Sequence, residues 1–310
     1  MSSRFPIPPI PAVAPYMPQR VSRSRFIEAR GLRHHVRCWD GDAALAPLVM
    51  LHGWMDVSAS FQFVVDALDA SRPVFAPDWR GYGLTGRPVS DCYWFPDYLA
   101  DLERLLDALL GDVPALLVGH SMGGNIAMLY AGVRPARVRA LVNLEGFGLR
   151  DSTPERAPVR YAEWLDQLRE PPALRSSSSY DDVALRLRRT NTRLTPEKAA
   201  FLAQHWAAPA ADGRLHLAAD PAHRIVNPVP YRWSEVAACW RAIKAPVLWV
   251  EGADTDAHKW AGDGAEIDRR VALLDRVERA TVADAGHMLH HDQPQAVAQA
   301  IEAWLARHAL

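Results

Sequence analysis

The sequence is poor in cysteine, in net charge and in long apolar runs, and each shortage removes a class of protein. Cys38, Cys92 and Cys239 are its three cysteines. Their odd number and wide spacing exclude a disulfide scaffold, suit a reducing compartment and give no metal-ligand spacing. The 35 basic and 36 acidic residues leave a formal charge of −1. No global field therefore favours nucleic acid or an anionic membrane as a partner. No stretch holds the roughly 20 apolar residues that span a bilayer.

The first residues, MSSRFPIPPIPAVAPYMPQR, do not read as a signal peptide, because prolines interrupt any apolar segment. We expect residues 1–23 to form an extended, proline-rich arm, and the cytoplasm is the expected compartment. What is present is apolar bulk. Of 310 residues, 49% are hydrophobic, enough to bury at least one large core.

Short apolar runs recur along the chain after a hairpin pattern at 24–40 with Gly31 at its turn. PLVMLHG (47–53), RPVFAPDWRG (72–81), ALLVGHS (115–121), VRALVNLEG (138–146), APVLWVEG (245–252) and VERATVADAGH (277–287) each have strand length. Amphipathic stretches at 97–111, 122–135 and 293–308 lie between or after them. Strands alternating with helices imply an α/β fold with a mostly parallel sheet covered on both faces. Residues 150–241 break the rhythm with arginine-rich helical segments and a serine run. Such a length is too great for a plain loop. It is expected to be an inserted helical cap over a core of 24–149 and 242–310.

The chemistry concentrates where glycine does. Gly119-His120-Ser121-Met122-Gly123 fits G-x-S-x-G at a strand-to-helix junction. That motif demands small neighbours, because the serine sits on a tight, strained turn that exposes its hydroxyl. Serine needs a base, and His287 in ADAGHMLHHDQP is the expected one. His290 and His291 compete nearby, but Gly286 favours His287 as the loop tip. An oxyanion needs donors, and the backbone N–H groups of Trp54, in LHGW after an early strand, and Met122 are the candidates. Cap aromatics Trp164, Trp206, Tyr231 and Trp233 are candidate pocket residues, although aromatics at helical spacing more often pack a core. No metal and no cofactor are expected.

Over residues 24–308 the chain resembles the α/β-hydrolase superfamily in its cap-bearing, serine-hydrolase branch, with LHGW, DWRGYG, GHSMGG and DAGHMLH in the family's order. LVNLEGFG and GHMLH look like a poorly characterised bacterial subgroup. The resemblance implies a structural role for DWRGYG and a triad ordered serine, acid, histidine. The usual site for the acid follows the strand after the cap, where the spacing lands on Thr255 between Asp254 and Asp256. The other known place ends the strand after the nucleophile helix, which is Glu145. Glu145 is the expected acid, with Asp254 and Asp256 as alternatives.

The implied activity is cofactor-independent hydrolysis of a carboxylic ester or related small acyl compound, carboxylesterase-like. Thioester, lactone or carbon–carbon cleavage on the same triad is an alternative, as is a receptor that binds without turnover. The sequence leaves the acyl chain, the leaving group and the oligomeric state open.

Overall fold

The short apolar runs become the strands of one sheet. We describe residues 13–69, 72–256 and 258–310 in a computed structural model. Most of the expected proline-rich arm (1–12) lies outside these residues. What is described of it packs on the body of the protein. The Tyr16 ring meets Phe63 edge-on at 5.0 Å, and its hydroxyl donates to Asp66.

In chain order the strands are β1 (Arg23–Ala29), β2 (Leu32–Trp39), β3 (Leu48–Leu51), β4 (Val74–Pro77), β5 (Ala115–His120) and β6 (Val138–Leu144). There follow β7 (Ala207–Pro209), β8 (Leu215–Leu217), β9 (Val247–Gly252) and β10 (Val277–Val282). Eight of them order as β1-β2-β4-β3-β5-β6-β9-β10. The β1–β2 hairpin and the β2–β4 pair are antiparallel, and every other pair in the sheet is parallel. This is the α/β architecture expected from alternating strands and helices.

The helices are α1 (Gln62–Ala67), α2 (Phe95–Leu110), α3 (Met122–Val133), α4 (Ala157–Arg169), α5 (Tyr180–Thr190) and α6 (Pro196–Trp206). The chain continues through α7 (Trp233–Arg241), α8 (His258–Ala261), α9 (Gly264–Val271), α10 (Leu289–Asp292) and α11 (Pro294–Arg307). Among the described residues, no helix is long and apolar enough to cross a membrane.

Strand β5 shows why its sequence is apolar throughout. Side chains alternate across a strand, and here Ala115 and Leu117 join one core while Leu116 and Val118 join the other. The first core is filled by α2, α3, α7 and α9 through Leu102, Leu106, Ile126, Trp240 and Ile267. The second is filled by α1 and α11 through Val64, Val65, Val297, Ile301 and Trp304. A central parallel strand buried on both faces cannot alternate polar residues.

The segment between β6 and β9 carries α4 to α7. It also contains a two-stranded β7–β8 hairpin that the sequence did not reveal. Val183, Leu187, Phe201 and Leu202 of α5 and α6 pack around Phe63 and Val57 of the sheet body. A second attachment involves DWRGYG. Tyr82 bridges to Ala219, Gly83 N–H donates to the Ala218 carbonyl at 2.7 Å, and His223 lies between Tyr82 and Tyr93. The ring centroids there are 3.8 and 3.6 Å apart, and burial pushes the His223 imidazole down to about 3.

Candidate active site

Three parallel strands, β3, β5 and β6, deliver the site at their carboxyl ends. Between β5 and α3 the chain turns at Ser121 with φ +52°, ψ −115°, a left-handed conformation rare for a residue with a side chain. The glycines make this turn possible. A Cβ at Gly119 would stand 2.5 Å from the Gly123 carbonyl oxygen, and one at Gly123 would stand 2.0 Å from that of Leu51. Both contacts are with backbone, so nothing can move aside. The turn is tied down by the Ser121 N–H, which donates to the Leu144 carbonyl at 2.8 Å.

His287 leaves the loop between β10 and α10 and faces this turn. Its Nε2 is 3.0 Å from Ser121 Oγ, and its Nδ1 is 3.1 Å from Glu145 Oε2. A carboxylate only accepts, so Nδ1 carries the proton, and the bare Nε2 can accept from the serine hydroxyl. Glu145 itself ends β6 with φ +59°. Its Oε1 accepts from the Gly252 N–H at 2.7 Å, and its Oε2 also accepts from the Thr255 hydroxyl. Three donors therefore fix one fully buried carboxylate.

The alternatives to Glu145 are placed elsewhere. Asp254 pairs with Arg193 at 2.8 Å, and Asp256 pairs with Lys259. Both are more than half exposed, and His287 takes its carboxylate contact from Glu145. The sequence placed Thr255 where a family acid would stand, and its hydroxyl donates to the Glu145 carboxylate.

The loop after β3 lies against Ser121. A Cβ on Gly53 would come within 3.3 Å of Ser121 Cβ, so a side chain there would crowd the serine. His52 is buried, accepts from the Trp79 N–H at 2.9 Å and contacts the Gly53 carbonyl at 2.8 Å, which locks this loop to DWRGYG. Trp54 follows with its indole half exposed and reaching the His223 carbonyl at 3.3 Å. Met122 opens α3, so its N–H has no acceptor within the helix. Met122 directly follows Ser121, and Trp54 directly follows Gly53, which lies against that serine.

Of the four aromatics expected in a pocket, Trp206 lines a small cavity with Met55, Asp56, Val57 and Tyr82. Trp206 donates to Ser60 at 3.3 Å and packs with the α5–α6 cluster. Trp233 stacks edge-on against Trp240 at 5.2 Å beneath the Arg270 guanidinium, 4.0 Å from its ring. Tyr231 packs on the main core, and Trp164 is half-buried on α4. Among the described residues, His287 has ring contacts with Trp260 (4.8 Å, edge-on) and His120 (5.0 Å) instead. Trp260 escaped the sequence reading because a lone tryptophan on a four-residue helix carries no periodic signal. His120 was read only as part of the motif. Its Nε2 lies 2.8 Å from the His287 carbonyl. Burial, then the neighbouring His290 and His287, hold its pKa well below the ordinary histidine value.

Residues 46–294 match a family model described as alpha/beta hydrolase fold. A serine hydrolase-like protein of Danio rerio is 24% identical over 275 residues, covering 84% of this chain and 81% of that protein. An sn-1-specific diacylglycerol lipase of Mus musculus is 41% identical over 105 residues, a match that spans 33% of each chain. Among solved structures, the thioesterase domain from the curacin biosynthetic pathway superposes with a TM-score of 0.81 at 25% identity. That superposition covers 91% of this chain and 99% of the other. Hydrolases thus recur among the relatives, and the matched segment takes in the serine turn, Glu145 and His287. The chain belongs to the α/β-hydrolase family.

Proposed function

We propose that this hydrolase is a serine esterase, cleaving a carboxylic ester or related acyl bond through an acyl-enzyme. The observation that carries the reading is the continuous hydrogen-bonded line from Ser121 through His287 to Glu145. Ser121 Oγ attacks the carbonyl carbon while its proton passes to His287 Nε2. Glu145 fixes the imidazole tautomer and stabilises the cation that forms. The N–H groups of Trp54 and Met122 receive the oxyanion, aided by the N-terminus of α3. His287 then returns the proton to the leaving group, and water, deprotonated by the same nitrogen, releases the acid. Residues 150–241 act as a cap over this edge and select the acyl chain.

A fluorophosphonate probe should label the wild-type chain at Ser121. Ser121→Ala should keep its circular dichroism, lose the label and lose roughly 10⁴ or more in kcat on short- and medium-chain p-nitrophenyl esters. Activity and labelling that both survive Ser121→Ala would overturn the assignment. The likeness to a thioesterase domain makes thioesters the second substrate class. Acyl-CoA substrates in the same assay compare the two.

A further inference from the structure

Next to the serine turn, three buried side chains from separate parts of the chain meet. Asp56 lies in the loop after β3, His120 is the last residue of β5, and His290 is in α10. They are 2%, 2% and 0% exposed. One ligand-type atom from each lies within 4.8 Å of the other two. The His120 and His290 rings are 4.1 Å apart, and Asp56 Oδ2 is 3.7 Å from His290 Nε2.

Their hydrogen bonds leave bare electron pairs on all three. Asp56 Oδ1 accepts from the Val57 N–H at 2.8 Å and from the Ser60 hydroxyl, while Oδ2 has no hydrogen-bond partner among the described residues. His120 Nε2 faces the His287 carbonyl. A carbonyl only accepts, so Nε2 holds the proton and Nδ1 keeps its lone pair. That Nδ1 has no partner, and neither does either nitrogen of His290. Buried polar atoms are ordinarily satisfied, so several orphans facing one another point to a missing partner. Gly53 adds a spatial sign: a Cβ there would stand 3.0 Å from His120 Nδ1.

We propose that Asp56, His120 and His290 form a binding site for one divalent transition-metal ion of the zinc class. Two imidazoles and a carboxylate suit Zn²⁺, Co²⁺ or Ni²⁺, whereas Ca²⁺ and Mg²⁺ require oxygen-rich shells. The His120 Nε2–H donated to a backbone carbonyl is the outer contact that orients metal-binding histidines. Zinc bonds of about 2.0–2.1 Å in a tetrahedron hold ligand atoms about 3.4 Å apart. The Asp56–His290 pair is already near that spacing, and rotation of the imidazoles closes the set. Through the His120 contact, a bound ion would brace the His287 loop without touching the Ser121–His287–Glu145 line. No spacing in the sequence announced this set, because its members come from a loop, a strand end and a helix far apart in the chain.

The test uses the full chain, stripped with a chelator and dialysed, then titrated with ZnCl₂ or CoCl₂ alone. One equivalent should bind, with Co²⁺ giving the visible absorption of a low-coordinate site. X-ray absorption of the zinc-loaded wild type should show two imidazoles in the shell. His290→Gln and Asp56→Asn should each weaken zinc binding about tenfold or more, while His287→Ala should bind as the parent does. Failure of the wild type to bind one equivalent, or a shell without two imidazoles, would assign the orphan atoms to a bridging water. Loss of binding in His287→Ala would place the ion on the catalytic histidine. Either result overturns the proposal, and both wild-type readings stand even if a variant fails to fold.

Discussion

Strands β6 and β9 lie side by side, run in the same direction and end at the same edge, yet they treat their terminal carboxylates in opposite ways. At the end of β6, Glu145 has a left-handed backbone, and its side chain is fully buried and held by three donors. At the end of β9 the chain runs on into a surface loop. Asp254 and Asp256 stand 51% and 67% exposed there, each paired with a cation on a long side chain. Exposed pairs of that kind contribute about 0–1 kcal/mol and hold nothing in place. The orienting role proposed for Glu145 needs a carboxylate fixed more tightly than water would fix it, and of these two strand ends the β6 end provides that. The β9 end contributes a neutral hydroxyl, Thr255, aimed at its neighbour's carboxylate.

The contrast breaks most severely if Glu145 loses its charge. Glu145→Gln should cost roughly 10²–10⁴ in kcat on p-nitrophenyl esters, the scale on which a triad loses its orienting anion. The same variant offers a way to turn the comparison round. Thr255 already touches the carboxylate oxygen that meets His287, so Thr255→Asp added to Glu145→Gln should recover about tenfold or more. A double variant no faster than Glu145→Gln would show that the β9 end no longer fits the imidazole.

A smaller effect isolates the hydroxyl. Thr255→Val deletes one hydrogen bond of about 1 kcal/mol and should slow kcat about three- to tenfold, with Thr255→Ser close to the parent. If valine and serine behave alike, the hydroxyl does not position Glu145. The smallest effects belong to the exposed pair. Asp254→Asn and Asp256→Asn should each change kcat less than about tenfold, as loop carboxylates outside the site do. A larger loss from either, measured on folded protein, would erase the distinction between the two strand ends.

Much of the fold was legible because burial on both sheet faces leaves a plain mark: short unbroken apolar runs, such as ALLVGH in β5. The serine turn was legible for a related reason, since glycines at 119 and 123 have no use in a buried strand. Choosing among Glu145, Asp254 and Asp256 as the partner of His287 was harder. Sequence spacing reports neither that Glu145 adopts φ +59° nor that its carboxylate is fully buried. The β7–β8 hairpin escaped notice because its three-residue strands are too short to show a period. Trp206 and Trp233 were legible as aromatic bulk, while their packing against Ser60 and Arg270 depends on contacts between distant segments.

The ring of His223, lodged between Tyr82 and Tyr93, has a consequence for how the molecule comes apart. It belongs to the segment between β6 and β9, while its two tyrosines belong to the body of the sheet. Its Nδ1 meets the Tyr98 hydroxyl at 3.3 Å and its Nε2 meets the Arg80 carbonyl at 3.1 Å. With Phe63 buried in the α5–α6 cluster as well, neither part can lose its structure without exposing the other's interior. Heating should therefore melt both as one cooperative unit. A scanning calorimeter should record a single heat-absorption peak, with Phe63→Ala moving that peak down rather than splitting it.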